Sequence, residues 1–254
     1  NIMRGGPGLG GILPSQADYF QATKGGGHGD YKLLVMAPAS VQEAVEMVMQ
    51  AFALADKYRN PVMILGDGLI GQMMEPVEFP DHLKVQPTNK DDWATNGMGT
   101  RKSKTRNLVK TLYLDPVELN AHNLKLKAKY EQMAREEIKY EAYNFDGAYR
   151  LLIVSYGTMS RVCRTAVDML KEEGLEIAML RPKYLFPFPS GPIREAAAKD
   201  SCQAVLSVEM CMGQMVEDVE RSVAGLSPVH WYGKCGGDVP TPEEVIEAVK
   251  KLVD

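Results

Sequence analysis

The chain has 254 residues, 45% of them apolar and 24% charged, with a formal net charge of −4. That length accommodates one large or two ordinary domains with real hydrophobic cores. The acidic balance argues against nucleic acid or an acidic membrane as partner, and no apolar run is long enough to span a bilayer.

The first residues, Asn1-Ile2-Met3, read as the tail of a strand, so the chain is expected to lack its first segment. Directly after them, RGGPGLGG sets five glycines and a proline behind Arg4. Residues Gly6 to Gly11 formally match GxGxxG, but a dinucleotide site also needs an acid at the end of the next strand. That strand ends Met36-Ala37-Pro38, and the nearest acid, Asp30, precedes it. A phosphate loop fails too, because no Lys-Ser/Thr pair follows the glycines. Two readings remain. One is a turn that brings the Arg4 fork and bare backbone (Gly5, Gly6, Pro7, Gly8) against a small organic anion. The other is an ordinary loop with a surface arginine. Ser15 is expected to open a helix just beyond.

Residues 31–75 read as strand, helix, strand. YKLLVMAP and PVMILGDG are the strands, and Ser40 with Glu43 forms a capping box at the helix start. Val41, Val45, Val48, Phe52 and Ala55 share one helical face, the expected core face. Apolar strands flanking a helix predict a parallel sheet covered on both sides. Residues 76–115 lose this periodicity and read as an extended linker carrying the basic run Arg101 to Arg106. That run has no interleaved aromatics for base stacking. From Pro116 to Tyr143 a long charged helix is expected, with Leu119, Leu126, Tyr130, Met133 and Ile138 as a narrow stripe. From Ala148 onward, four strands alternate with four helices, the pattern of a doubly wound domain. The fold class is therefore α/β with two doubly wound domains, divided as 1–79, a linker and helix over 80–146, and 147–254.

The remaining candidates are isolated. His28, in GGGHGD, is either a proton carrier or a hydrogen-bonding strut of a glycine turn, and the strut is favoured. Asp67 follows a strand's C-terminal end, where open α/β sheets bind ligands, yet Asp-Gly there is also a turn former. The segments Tyr156 to Thr158 and Glu209 to Gln214 lie at strand-to-helix junctions, suited to an anion or, more commonly, to capping. Cys211, between two methionines, reads as a buried small hydrophobe. Cys163, Cys202, Cys211 and Cys235 are scattered, and His82, His122 and His230 stand alone. No metal-ligand spacing results, and the pattern suits a reducing cytoplasm.

Taken in order, RGGPGLGG, GGGHGD, VMAPASVQEA, YRNPVMILGDG, RPKYLFPFP and SVEMCMGQM give the chain a likeness along essentially its whole length. It resembles the alpha subunit of 2-oxoacid:ferredoxin oxidoreductases, most closely the 2-oxoisovalerate (3-methyl-2-oxobutanoate) branch. The resemblance implies a thiamin diphosphate- and Mg-dependent enzyme that converts a 2-oxoacid and coenzyme A to acyl-CoA, CO2 and reduced ferredoxin. It implies a partial pyrimidine-binding-type domain followed by a transketolase C-terminal-like domain. A beta subunit would hold the cofactor's diphosphate, and gamma and ferredoxin-like delta subunits would accompany it, with iron–sulfur clusters outside this chain. Arg4 corresponds to the arginine that contacts the substrate carboxylate, and His28 and Asp67 fall in the vicinity of that cleft. Many relatives carry Ser-Thr after the Gly-Pro, where this chain has Gly8-Leu9, a change that suits an aliphatic substrate. The family's thiamin-activating glutamate would lie before Asn1, so no catalytic residue is assigned within these 254 residues. A non-catalytic scaffold subunit and, less favoured, a dinucleotide-binding enzyme are the alternatives.

Overall fold

A computed structural model of the chain describes residues 1–79, 88–97 and 106–253. His82 and Arg101 to Thr105 lie outside the described residues. The first half opens with β1 (Ile2–Met3), α1 (Tyr19–Thr23), β2 (Leu34–Met36), α2 (Val41–Tyr58), β3 (Val62–Ile64) and β4 (Gly66–Asp67). Then come α3 (Pro116–Glu136), β5 (Tyr140–Tyr143), β6 (Leu151–Val154), α4 (Gly157–Glu172), β7 (Ile177–Pro182) and β8 (Tyr184–Phe186). The chain continues with α5 (Ser190–Ala197), β9 (Ala204–Glu209), α6 (Met215–Val223), β10 (Val229–Gly233) and α7 (Pro242–Val253). The expected strand–helix alternation of both halves is present.

The larger sheet runs β10-β9-β6-β7-β5, with four parallel strands and β5 antiparallel at one edge. Its inner strands β6, β7 and β9 are buried on both sides because both faces are covered. Leu151, Ile153, Ile177 and Leu206 pack with α4 and α7 through Cys163, Val167, Val245 and Val249. Leu152, Val154, Leu180 and Val205 face α5 and α6 through Ile193, Met215 and Val219. That second cluster does not stop at the sheet: Met3, Tyr19, Val35 and Leu65 from the first half belong to it. Each fully buried side chain of this size contributes about 1.5–3 kcal/mol, so the two halves share one core.

In the first half β2 pairs β3 in parallel, and β1 pairs β4 in parallel. β8 returns from the second half to pair antiparallel with β2, which ties the halves together covalently and by ladder bonds. Ser40 caps α2 by accepting the Glu43 N–H, while the Glu43 carboxylate reaches back to Ala39 N rather than to the cap residue's own N–H.

Three expectations about local structure are corrected. α2 does not bury the Val48 and Phe52 face, since these side chains are 47% and 64% exposed. Met47 and Tyr58 are buried instead, with Ala51 and Leu54 packed beside them against Leu34, Met36 and Met133. The helix carries two apolar stripes, and the sheet took the other one. The long helix ends at Glu136, and Tyr140–Tyr143 turns into an edge strand against β7. Ser15 does not start a helix: its hydroxyl accepts from Ala17 N, and α1 begins only at Tyr19, after Asp18.

Candidate functional site

Arg4 stands immediately after β1, where the strand ends and the glycine loop begins. The loop closes like a hairpin. Gly5 N donates to Leu13 O at 2.9 Å, Gly11 N donates to Gly5 O at 2.9 Å, and Arg4 bridges to Pro14. A Cβ at Gly10 would stand 1.9 Å from the Gly5 carbonyl oxygen, so this tight crossing accepts only glycine there. The Arg4 guanidinium lies back over its own loop, donating to the carbonyls of Leu9 and, at 3.5 Å, Gly11. It is exposed, and among the described residues no carboxylate pairs with it.

Around this fixed positive charge the loop is apolar. Leu9, Ile12 and Leu13 are 91%, 80% and 54% exposed. Gly6, Pro7 and Gly8 are exposed, while Gly5 is buried beneath them against Gly236. Because β1 and β4 are parallel, the loop leaves the C-terminal edge of that sheet, the edge at which open α/β sheets bind ligands. The arrangement offers a guanidinium fork for a carboxylate and a greasy rim for an aliphatic tail.

Asp67 is at the same edge but is committed elsewhere. It is 1% exposed, and its Oδ1 accepts from Thr158 Oγ1 at 2.7 Å, Leu69 N at 3.1 Å and Ile70 N at 3.2 Å. Its Oδ2 accepts from Thr158 N at 2.9 Å, at the start of α4. The residue thus joins the first half to the N-terminus of a second-half helix, whose orphan N–H groups and positive dipole end favour a carboxylate. Asp67→Asn is expected to cost about 2 kcal/mol, because one acceptor becomes a donor facing donors. A denaturation midpoint equal to that of the parent chain would contradict this role.

The other junctions work the same way. Glu209 caps α6 from the end of β9, and Gln16, fully buried, stitches both junctions to the first half. Its Oε1 accepts from Met210 N, and its Nε2 donates to Tyr156 O, both at 2.9 Å. Sequence reasoning gave no sign of Gln16, which lies in an ordinary polar stretch. The segments Tyr156 to Thr158 and Glu209 to Gln214 are accordingly capping and joining devices.

Tyr156 and Tyr19 are held un-ionised, mainly by burial. Burial, followed by the Glu209 charge, pushes the Cys211 thiol up. Burial likewise takes the Cys163 thiol to about 12. Neither is a thiolate nucleophile.

His28 is exposed on its glycine loop and has no hydrogen-bond partner among the described residues. The strut of that turn is Tyr31, whose phenol oxygen accepts from Gly26 N at 3.0 Å and Gly27 N at 2.9 Å. Those two N–H groups also lower its pKa. The loop borders a groove of about 750 Å³ lined by Lys32, Asn123, Tyr130 and Phe186, among others. Neither Arg4 nor His28 lines that groove.

Residues 1–142 match the family model described as pyruvate flavodoxin/ferredoxin oxidoreductase, thiamine diphosphate-binding. Residues 150–245 match the model for pyruvate:ferredoxin oxidoreductase core domain II. The ketoisovalerate oxidoreductase subunit VorB of Methanothermobacter thermautotrophicus is 44% identical over 252 residues, covering 99% of this chain and 69% of that protein. The 2-oxoglutarate synthase subunit KorA of the same organism is 31% identical, covering 99% of this chain and 72% of its own length. The 2-oxoglutarate:ferredoxin oxidoreductase of Magnetococcus marinus superposes over the whole chain with a TM-score of 0.83 at 24% identity. This chain spans only about half (48%) of that solved chain. Two family models in tandem, with relatives aligned along nearly every residue, place this α/β chain in the 2-oxoacid:ferredoxin oxidoreductase family.

Proposed function

We propose that this chain is the alpha subunit of a 2-oxoisovalerate:ferredoxin oxidoreductase and presents Arg4 to the substrate carboxylate. The assembled enzyme oxidatively decarboxylates the 2-oxoacid with coenzyme A, giving acyl-CoA, CO2 and reduced ferredoxin. The exposed guanidinium, braced by its own loop carbonyls and ringed by Leu9, Ile12 and Leu13, is the observation that carries this reading. A carboxylate docks on such a fork through two parallel bonds, and the branched tail of 2-oxoisovalerate meets apolar side chains. The higher identity to the ketoisovalerate subunits, 44% and 42%, than to the 2-oxoglutarate subunit, 31%, supports the branched-chain substrate.

Among the described residues no group of three or more His, Cys, Asp or Glu side chains is arranged to hold a metal ion. In this reading the beta subunit holds magnesium and the diphosphate, while gamma and delta subunits complete a cytoplasmic complex with the iron–sulfur clusters. None of the described helices is long and apolar enough to cross a membrane. Thiamin diphosphate supplies carbanion stabilisation when bound. This chain's part is orientation: Arg4 fixes the acid end so that the keto carbon is presented in one pose. The organisation proposed is 1–79, 80–146 and 147–254, with Tyr184–Phe186 lent back to the first sheet.

The test is steady-state viologen reduction by the complete complex with 2-oxoisovalerate, 2-oxoglutarate and pyruvate in turn. The first is expected to give the highest kcat/KM. Arg4→Ala is expected to raise its KM about ten- to hundredfold, the worth of a charge-assisted bond pair, while leaving thiamin affinity unchanged. Unchanged kinetics in that variant would overturn the role of Arg4. A complex whose turnover ignores the presence of this chain would make it a scaffold.

A further inference from the structure

The arginine loop does not stand free: it leans on a turn from the far end of the chain. Strand β10 ends at Gly233, where a Cβ would come within 2.3 Å of the Glu209 carbonyl oxygen, so the strand end is pressed against β9. The next residue, Lys234, reaches Glu244 of α7 at 2.7 Å and Asp238 at 3.3 Å, fixing both sides of the turn. From that anchored base, Gly236 and Gly237 meet the arginine loop. A Cβ at Gly5 would lie 3.2 Å from Gly236 C, and a Cβ at Gly237 would lie 2.3 Å from Leu13 Cβ. Leu13 is the residue whose carbonyl receives Gly5 N, one position after Arg4. Rigid contact therefore runs from the second-half sheet through Gly237 and Leu13 to the backbone that carries the guanidinium.

We propose that the Lys234–Asp238 turn is a positioning element for the substrate, and that the Gly237–Leu13 contact sets where the Arg4 guanidinium stands. The proposal rests on Arg4 as the carboxylate anchor and gives the second α/β half a role in substrate binding. The crossing needs glycine at Gly5 and Gly237: a Cβ on the first would press on the Gly236 backbone, and one on the second would strike the Leu13 side chain. A side chain on either surface pushes the loop away from its seat, and the fork moves with it.

The experiment compares variants in the complete complex. Gly237 has φ +102° and Gly236 has φ +73°, but a Cβ at Gly236 meets nothing within 4 Å. Both alanine substitutions carry backbone strain, and only Gly237→Ala adds the collision with Leu13. Gly237→Ala is expected to raise the KM for 2-oxoisovalerate about tenfold or more, as sub-ångström misplacement of a positioning group does. Gly236→Ala is expected to raise it distinctly less, and the KM for coenzyme A is expected to stay the same in both. Adding Leu13→Gly to Gly237→Ala is expected to recover part of the loss.

Equal effects of the two alanines, or no recovery in the double variant, would overturn the proposal. If Gly237→Ala does not assemble, Leu13→Gly alone carries the test, read with 2-oxoisovalerate and with pyruvate, which has no branched tail for the Leu13 rim to hold: a KM raised for both supports the contact, and an unchanged KM for pyruvate refutes it. Arg4→Ala run in parallel separates the two readings. If Arg4→Ala raises KM and the Gly237 and Leu13 variants do not, only the positioning role falls.

Discussion

Replacing Glu209 with alanine is expected to destabilise the fold by about 3–5 kcal/mol, among the larger costs a single substitution produces. The carboxylate is completely buried at the last position of β9. Its Oε2 accepts from Gln214 N at 3.0 Å, Met215 N at 2.8 Å and Cys211 Sγ at 3.0 Å. Its Oε1 accepts from Val216 N at 2.9 Å and Ser207 Oγ at 2.8 Å. Three of these donors are the first N–H groups of α6, which have no partner inside the helix and sit at its positive end. Alanine would leave them facing a dry space, each at a cost of about 1–3 kcal/mol if unsatisfied. The damage would spread to the first half, because Gln214 holds Phe20 N through Oε1 at 2.9 Å and Ala17 O through Nε2 at 2.7 Å. Equilibrium denaturation checks it: a lowered midpoint is expected for Glu209→Ala and a smaller drop for Glu209→Gln, which keeps one acceptor. An alanine variant within 1 kcal/mol of the parent would show that the helix start finds water instead.

The difference between Glu209 and Leu151 shows what was legible in the sequence. Leu151–Val154, Ile177–Pro182 and Ala204–Glu209 are short β-branched or leucine-rich runs bounded by turn residues, and the helices after them have periodic apolar faces. Those local signals agree with the tertiary outcome, so the second half could be read strand by strand. For α2 they do not discriminate. Val41, Val45, Val48, Phe52 and Ala55 make one stripe, Met47, Ala51, Leu54 and Tyr58 make another, and periodicity cannot say which one meets the sheet. Tyr140–Tyr143 was hidden because an edge strand needs only alternate inward residues, and a charged stretch after a helix reads as more helix. The tight turn after Arg4 was legible because five glycines within the eight residues of RGGPGLGG have few structural uses. The commitments of Asp67, Gln16 and Glu209 were not, since each depends on partners 91 to 194 residues away in sequence or on a helix start that capping rules would assign to a neighbour. The Gly236–Gly237 pair carried the same kind of signal as the first loop, but nothing in the sequence said that the two meet.

Arg181→Met is expected to cost about 3–5 kcal/mol at neutral pH and to flatten the acid limb of the stability curve. Arg181, 4% exposed, lies between the halves. Its guanidinium grips both oxygens of Glu43 at 2.7 Å, from Nη1 to Oε2 and from Nη2 to Oε1, and its Nε donates to Glu141 Oε2 at 3.0 Å. Lys183 adds a contact of 2.6 Å to Glu43. Burial by itself would raise the Glu43 carboxyl, but the Arg181 fork, Lys183 and the Ala39 N–H outweigh it and hold the pKa at about 2, against 4.5 for an ordinary glutamate. A folded-state pKa below the unfolded one means stability that is complete above about pH 4.5 and drains away as the pH falls toward 2. The size of that loss is on the order of 3 kcal/mol. Removing the arginine takes away the bidentate fork and leaves Glu43 in a half-closed interface with Lys183 and the Ala39 N–H as its remaining partners, and an under-compensated carboxylate there is costly. The double variant Arg181→Met with Glu43→Leu removes both charges and is expected to regain much of the loss, as buried pairs replaced by apolar groups commonly do, although Lys183 and Glu141 then lose a partner. Denaturation midpoints from pH 7 down to 3 for the parent and both variants decide the matter. A parent curve no steeper below pH 4.5 than that of Arg181→Met would mean that the pair, however close in space, does not hold the two halves together.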